Sequence, residues 1–250
     1  MLDQAASSVA RFLTSNNHNL KYLGITALSL IVQINPKYAT EHQMVVVSCL
    51  EDSDETLKRK TLDLLYKMTN PHNVKFIVDK LLTHLKLTND NYLRQELVGR
   101  IKELAEKYSP DNEWFITTMN SLFLISGDIV KPETAHYLLQ LIAMGAYVEG
   151  QEEDEEADEQ LRRYAVESYI KLLNTPLSKL HDSLIRVIAW VLGEYGYLSK
   201  ICTKEDIIDK LLDCNAQPIE HETRAWIISS IAKIISQLRG EGNVNIFCIS

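Results

Sequence analysis

The sequence predicts an all-α protein in which helix pairs stack into an α-solenoid, and three observations lead to this prediction. Apolar residues recur every three or four positions along most of the 250-residue chain, which is the spacing of one helix face. No segment alternates between apolar and polar residues from one turn signal to the next, so no strand is predicted. Alternate helices open on a similar motif about 36 residues apart, within the range of helical repeats.

Composition and charge exclude several other classes. Nine glycines and six prolines are fewer turn residues than a β-sandwich or barrel of this length needs. The net charge is −8 and the isoelectric point is near 5.4, without the basic footprint typical of a nucleic-acid-binding protein. The N-terminus lacks the positive and apolar regions of a secretory signal. The longest nearly apolar run, residues 25–34, is too short to cross a bilayer, so a cytoplasmic protein is expected.

Helices of the first half are bounded by polar turns and prolines. The apolar residues of segment 20–34 fall at steps of three and four, with Asn19 as a candidate N-cap. Proline disfavours the α region in the residue before it, so the Asn-Pro pairs at 35–36 and 70–71 end helices. The polar turn at 51–54 can cap the helix that follows it. The predicted helices of this half are 20–34, 37–50, 57–68, 73–87 and 92–108.

The second half continues the helical pattern on both sides of an acidic segment. Eight of the eleven residues at 149–159 are acidic. Like charges at this density repel one another and bury no apolar surface, so a solvated loop between helix pairs is predicted. An acidic tether for a basic partner or a divalent ion is the alternative, although the calcium-loop pattern is absent. The predicted helices of this half are 112–126, 132–148, 158–173, 178–197, 204–212 and 220–238.

Four of these helices open on a leucine followed by a basic residue. The motif stands at 20–21, 57–58, 93–94 and 161–162, and the prolines that end these helices are Pro36, Pro71, Pro110 and Pro176. Helix pairs at this period stack into a right-handed superhelix of HEAT- or armadillo-like repeats, in which each pair buries its apolar face on its neighbours. A globular helix bundle is the alternative, but independent bundle helices need share no period.

The catalytic and metal-binding motifs in the sequence are weak. The four cysteines are scattered without a C-x-x-C pair, so neither a disulfide framework nor a zinc site is predicted. His181, Asp182 and Ser183 are neighbours on a helix and point in different directions, which argues against a triad. Glu133 and His136 have the spacing of one carboxylate–histidine metal motif, of which a bundle site needs two. We therefore expect no enzyme activity, no cofactor and no metal.

One small basic cluster is the candidate contact site. Lys58, Arg59 and Lys60 stand near the start of a repeat helix. Bases along the edge of a solenoid can meet acidic lipid head groups or a phosphorylated partner. A solvated helix face without a binding role is the alternative interpretation.

Several segments resemble the trunk of the large adaptins. The resemblance is carried by residues 20–28, 57–62, 105–111 and 189–196. The last of these, Ala-Trp-Val-Leu-Gly-Glu-Tyr-Gly, is the most specific for the family. The similarity to the epsilon-type branch in adaptor protein complex four is carried by residues 23–39, 42–44 and 114–120. The gamma and alpha types are near alternatives, and the resemblance runs from residue 17 to residue 198 and more thinly to 238.

The resemblance implies a fragment of a longer adaptin. We expect residues 1–239 to be a HEAT-like trunk fragment that contains the acidic loop 149–159, and residues 240–250 to be a divergent or disordered tail. It implies a non-catalytic scaffold subunit of a heterotetrameric clathrin-adaptor-type vesicle coat, active in cargo sorting at the trans-Golgi network or endosomes. The implied partners are a beta-type large adaptin, medium and small adaptin chains, an Arf-family GTPase and a peripherally bound membrane. A HEAT-repeat scaffold or transport receptor for soluble partners is the alternative.

Overall fold

The computed structural model describes residues 2–145 and 155–240. Within this part of the chain the regular structure is helical throughout, and no strand occurs. Three short 3₁₀ turns stand at Cys49–Glu51, Leu177–Lys179 and Gly196–Leu198. The α-helices are α1 (Leu2–Leu13), α2 (His18–Ile34), α3 (Lys37–Ser48), α4 (Glu55–Met68), α5 (Val74–Leu87), α6 (Asn91–Tyr108), α7 (Asn112–Ser126), α8 (Pro132–Met144), α9 (Glu155–Leu173), α10 (Asp182–Tyr195), α11 (Lys204–Asn215) and α12 (His221–Gly240).

The chain divides into two compact units, Met1–Pro110 and Asp111–Ser250. In the first unit α2 packs against α4, an ion pair between Asp63 and Arg100 ties α4 to α6, and α1 packs against α3. In the second unit α8 packs against α10, α10 packs against α12, and α7 packs against α9. Within each unit, even-numbered helices form one layer and odd-numbered helices the other. This is the stacked-pair arrangement of an α-solenoid, so the predicted fold class is confirmed.

Side-chain caps set helix starts close to where the sequence predicts them. The Asp54 carboxylate accepts a hydrogen bond at 2.8 Å from an amide in the first turn of α4, as expected of the polar turn before that helix. The start of α2 is two residues earlier than predicted, at His18. Its N-cap is Asn17 and not Asn19, because the Asn17 side chain accepts from the amides of the first turn.

Two larger differences from the prediction concern α10 and α1. The helix predicted at 178–197 begins only at Asp182, because the His181 imidazole accepts a hydrogen bond from the Ser183 amide and caps the helix there. The helix α1 has no predicted counterpart, since it is short and few of its residues form its apolar face. The buried residues of α1 are Ala6, Val9 and Leu13.

The predicted apolar faces of α4 and α6 form the core of the first unit. Leu57 and Leu65 of α4 and Leu97 of α6 are at most 1% exposed. Burying an aliphatic side chain of this size stabilises a protein by about 1.5–3 kcal/mol, so burial of these side chains is a main contribution to the stability of the first unit. Met44 of α3, predicted to face inward, is 63% exposed. Val46 takes the core position instead, because α3 turns that face toward its neighbours.

The acidic segment 149–159 is helical in its second part. Because α9 begins at Glu155, residues 155–159 form its first turns, whereas a loop is predicted there. Acidic side chains are favourable at a helix N-terminus, where they face the positive end of the helix dipole. Glu159 also pairs with Arg163 one turn further along. Residues 149–154 of the predicted loop and residues 241–250 of the predicted tail lie outside the described residues.

In the second unit, the basic residue of the repeated leucine motif binds the C-terminus of the preceding helix. The Arg162 guanidinium of α9 donates to the Ala143 carbonyl at 2.9 Å and lies 5.2 Å from the centre of the Tyr195 ring. Arg224 of α12 likewise donates to the Asn215 carbonyl at 2.7 Å. Both carbonyls stand at helix C-termini, where backbone acceptors lack partners inside the helix. Each arginine therefore fixes the end of the helix that precedes its own.

Replacing Arg162 with methionine is expected to lower the free energy of unfolding by about 2 kcal/mol, because hydrogen bonds from a charged donor are lost. Methionine retains part of the aliphatic stem, so the packing changes little. Urea unfolding followed by circular dichroism measures the effect. Arg163→Met is the matched control, since its ion pair with the exposed Glu159 contributes less than about 1 kcal/mol. Equal losses in the two variants would contradict the role given to Arg162.

Candidate interaction surface

The predicted contact residues lie in the first turns of α4, and Lys58 is already engaged within its repeat. The Lys58 ammonium is 2.8 Å from the Glu55 carboxylate, and its side chain is only 21% exposed. Burial and, to a lesser degree, the charge of Lys58 lower the pKa of His84 on α5. The Lys58 ammonium therefore already has a partner within its own helix.

Arg59 and Lys60 are exposed but differ in their partners. The Arg59 guanidinium lies 5.3 Å from the centre of the Tyr92 ring and 3.9 Å from the Asp90 carboxylate, both near the start of α6. A cation over an aromatic face at this distance is attracted by the ring quadrupole. Within the described part of the chain, Lys60 has neither an ion pair nor a hydrogen bond. Lys60 is thus the member of the cluster whose ammonium is available to a partner.

Charged contacts continue along the seam between α4 and α6. Arg100 of α6 pairs with Asp63 of α4 and with Glu96 of its own helix. The Tyr66 hydroxyl donates to the Glu103 carboxylate at 2.9 Å, and this acceptor raises the pKa of Tyr66. The acidic groups of the seam therefore balance its bases, and the exposed surface of these two helices is mixed in charge.

An apolar stripe on α2 is a surface feature that charge reasoning missed. The periodicity that predicts this helix is correct, but most of the residues that carry it face outward. The exposed fractions are 38% for Leu20, 54% for Leu23, 59% for Leu30 and 68% for Ile34. The residues that α2 buries are Gly24, Ile25, Leu28, Ile31 and Val32. We call Leu20, Leu23, Ala27, Leu30 and Ile34 the α2 stripe.

The weak catalytic motifs have structural tasks or none. His181 caps α10, and the neighbouring Asp182 carboxylate accepts hydrogen bonds from the Thr223 hydroxyl at 2.8 Å and from the Glu220 amide at 2.7 Å. These bonds join the start of α10 to the start of α12. Glu133 and His136 are exposed on α8. The sequence-adjacent residues 181–183 are therefore used in helix capping and packing.

Two of the cysteines are enclosed by the helices that carry them and by their neighbours. Cys49 and Cys214 are buried, and burial raises the pKa of both thiols, that of Cys214 to about 11. In residues 2–145 and 155–240, no group of three His, Cys, Asp or Glu side chains is placed to hold a metal ion. Over the same residues, no helix has both the length and the apolar character required to span a membrane.

The family follows from a comparison with protein-family models. The family described as the adaptin N terminal region matches residues 1–247, which is nearly the whole chain. The chain belongs to the adaptin family. The resemblance carried by the segment 189–196 is thereby confirmed, and Gly193 within it packs closely against Ser230 of α12.

Curated relatives refine the position of this adaptin within its family. The human AP-4 complex subunit epsilon-1 is 41% identical over 245 residues, which is 98% of this chain and 21% of the relative. The AP-4 complex subunit epsilon of Arabidopsis thaliana is 43% identical over 94% of this chain and 24% of the relative. Gamma- and alpha-type subunits of other adaptor complexes match at lower identity, so the epsilon-type resemblance is confirmed. The adaptin chain spans between about a fifth and a quarter of the length of the epsilon-type relatives.

A comparison of structures supports the fold. A chain in a homology model of the full-length AP-3 complex in an intermediate open conformation matches with a TM-score of 0.60. The match covers 95% of this adaptin and 44% of the other chain, at 18% sequence identity. At this identity the likeness shows the helical fold alone.

Proposed function

We propose that this adaptin is a non-catalytic scaffold segment of a heterotetrameric, clathrin-adaptor-type vesicle coat. In this proposal it assembles with a beta-type large adaptin, a medium chain and a small chain. An Arf-family GTPase recruits the complex to trans-Golgi network or endosomal membranes from the cytoplasm, where the coat sorts cargo. The mechanism is geometric, because stacked helices hold partners in register and several weak contacts add to a firm attachment.

The match of the family to residues 1–247, with epsilon-type relatives at more than 40% identity, carries this proposal. The described surface is consistent with a scaffold. Polar side chains cap helices and join neighbouring helices of one layer, as the partly buried Asp182 does between α10 and α12, and the exposed helix faces supply the contact area. A solenoid of this kind presents an extended surface on which partner chains can bind.

Co-purification tests the proposal. The tagged full chain is expressed in cells, purified under gentle conditions, and its stoichiometric partners are identified by mass spectrometry. We expect a medium, a small and a beta-type adaptin chain at comparable amounts. Recovery of soluble enzymes or transport cargo without any of these three chains would contradict the proposal and favour the general HEAT-repeat scaffold.

We also propose that the cluster Lys58, Arg59 and Lys60 contributes to membrane attachment, chiefly through Lys60. Lys58 is paired with Glu55, and Arg59 contacts Tyr92. The exposed Lys60 ammonium can therefore bind a lipid head group without breaking an existing contact. A lysine near an anionic lipid surface contributes about 1 kcal/mol of attraction.

Replacing Lys60 with glutamate is expected to weaken binding of the assembled complex to phosphatidylserine-containing vesicles about fivefold or more, since an attraction becomes a repulsion. Vesicle co-sedimentation measures the affinity. Lys86→Glu is the matched control, because Lys86 is an exposed lysine on α5, outside the cluster. Equal effects of the two variants would show general electrostatics only, and no effect of Lys60→Glu would remove the cluster from the proposal.

A further inference from the structure

The α2 stripe has the spacing of a coiled-coil seam. Positions 20, 23, 27, 30 and 34 alternate steps of three and four, which is the a/d pattern of a heptad repeat over two heptads. Leu23, Leu30 and Ile34 are each more than half exposed. A soluble protein rarely leaves a contiguous apolar helix face open without a partner for it.

The stripe is particular to α2 and is not a general property of these repeats. In the register set by the repeated leucine motif, Leu23 and Leu30 correspond to Lys60 and Lys67 of α4. The same positions of α6 hold Glu96 and Glu103. The outward positions are therefore charged in the next two helices of this layer and apolar in α2 alone among the three.

The borders of the stripe are uncharged. On one side it adjoins Gly24 and Ile31, which are buried in the repeat. On the other side stand Asn19, Thr26 and Gln33, all exposed and neutral. The nearby Lys21 ammonium is held by the buried Asp52 carboxylate at 2.6 Å. An identical surface can approach this stripe without bringing like charges together.

The two ends of α2 carry complementary groups. Asp54 lies at the cleft beside the N-terminus of α2, together with Asn17 and His18. Beyond the C-terminus stands Lys37, whose side chain is 70% exposed and whose ammonium lies 3.3 Å from the exposed Glu41 carboxylate of its own helix. In an antiparallel pair the C-terminus of one helix meets the N-terminus of the other, which aligns the helix dipoles favourably and brings these opposite charges near each other.

We propose that the α2 stripe is a self-association surface, on which α2 of a second copy of this chain packs in antiparallel orientation. In the antiparallel a-to-d pairing, Leu23 meets Ile34 of the partner copy, and Ala27 meets Leu30. The small Ala27 side chain opposite a leucine lets the two backbones approach closely. The surface is the same on both copies, as a two-fold interface requires. A standard protein–protein interface buries about 800 Å² of surface per partner. The few apolar side chains of the stripe bury less than this, so the dimer is weak.

Sedimentation equilibrium of the purified full chain tests the proposal. We expect a monomer–dimer equilibrium with a dissociation constant on the order of 10–100 μM. Leu23→Glu/Leu30→Glu is expected to weaken association at least tenfold while leaving the circular dichroism spectrum and the melting temperature unchanged, because both residues are exposed. The matched control is Leu87→Glu/Ile228→Glu. It changes two aliphatic residues on α5 and α12, which are 76% and 59% exposed.

Charges introduced beside the stripe test the antiparallel orientation without changing the apolar side chains. In the antiparallel pair, Thr26 of one copy lies beside Gln33 of the other. Thr26→Glu/Gln33→Lys therefore creates two opposite-charge pairs and is expected to strengthen the dimer about threefold, whereas Thr26→Glu/Gln33→Glu weakens it. A monomer at all concentrations, or an identical response to the stripe and control variants, would overturn the proposal. Binding of the stripe to a helix of a different chain, without self-association, would also overturn the proposal.

Discussion

Replacing Gly193 with valine is expected to lower the free energy of unfolding by about 3 kcal/mol or more, the largest effect of a single substitution foreseen in this adaptin. Gly193 lies on α10 where α12 crosses it. A Cβ atom at this position would stand 2.8 Å from the Ser230 Cβ and 3.0 Å from the Ser230 Cα. Because the second of these atoms is backbone, relief requires α12 to move as a whole. At this chain length the melting temperature falls by about 6–12 °C.

The alanine variants give the sharpest control, because they predict opposite signs at two helical glycines. A Cβ at Gly99 on α6 meets no atom within 4 Å, so Gly99→Ala is expected to stabilise the chain by about 0.5–1 kcal/mol through helix propensity. Gly193→Ala adds the same methyl group and the same propensity gain, yet is expected to destabilise. Differential scanning calorimetry of both variants measures the signs. Stabilisation by both would show that the α10–α12 contact yields easily.

The central helices of the first unit could be predicted because local and tertiary signals agree. In α4, the N-cap Asp54, the apolar face from Leu57 to Met68 and the proline at position 71 all mark the same helix, and the structure buries that face. In its layer, α4 lies between α2 and α6. The apolar residues that set its periodicity are therefore the ones that it buries.

The orientation of α2 could not be predicted from the same kind of signal. Its sequence holds two apolar faces, one through Leu23 and Leu30 and the other through Ile25 and Leu28, and periodicity alone ranks neither. Which face is buried depends on where α1 and α4 lie. The positions of α1 and α4 are tertiary information. The one local sign of the buried face is Gly24, where a Cβ atom would be 3.1 Å from Leu13.

The candidate contact cluster shows a second limit of sequence reasoning. Three adjacent bases suggested a common basic edge, but the distances separate them into an internal ion pair, a cation over an aromatic ring and one available ammonium. For Arg59 the deciding partners, Asp90 and Tyr92, are more than 30 residues away in the sequence. Composition cannot report such partners, because they are brought close only by the stacking of repeats.

Asp52 is expected to be the most sensitive charged residue of the first unit. Its side chain is only 3% exposed and accepts from the Lys21 ammonium at 2.6 Å and from the Asp54 amide at 3.1 Å, and it lies 2.7 Å from Nδ1 of His18. These contacts fasten α2 to the turn before α4. Replacing Asp52 with asparagine removes the buried charge that Lys21 faces, and is expected to cost about 3 kcal/mol at neutral pH. Urea unfolding measures the loss.

The pH dependence of that loss identifies its cause. The hydrogen bond from Lys21 is the main factor that lowers the pKa of Asp52 from 3.8 to about 2. A carboxyl group with a depressed pKa in the folded state stabilises the protein above its unfolded pKa, and this stability is lost as pH falls toward the folded value. The difference between wild type and Asp52→Asn is therefore expected to be constant above about pH 5 and to shrink between about pH 4 and pH 2.

A matched carboxylate separates this buried contact from surface charge. Asp63 also pairs with a cation of a neighbouring helix, but its side chain is 43% exposed, and its partner Arg100 keeps Glu96 when Asp63 is changed. Asp63→Asn is thus expected to cost less than about 1 kcal/mol. If Asp52→Asn costs no more than Asp63→Asn, or if its cost stays the same down to pH 2, the α2–α4 junction is held by apolar packing alone. A larger loss of unfolding free energy in Asp52→Asn, which shrinks in acid, would show that the buried Asp52 carboxylate holds α2 and α4 together.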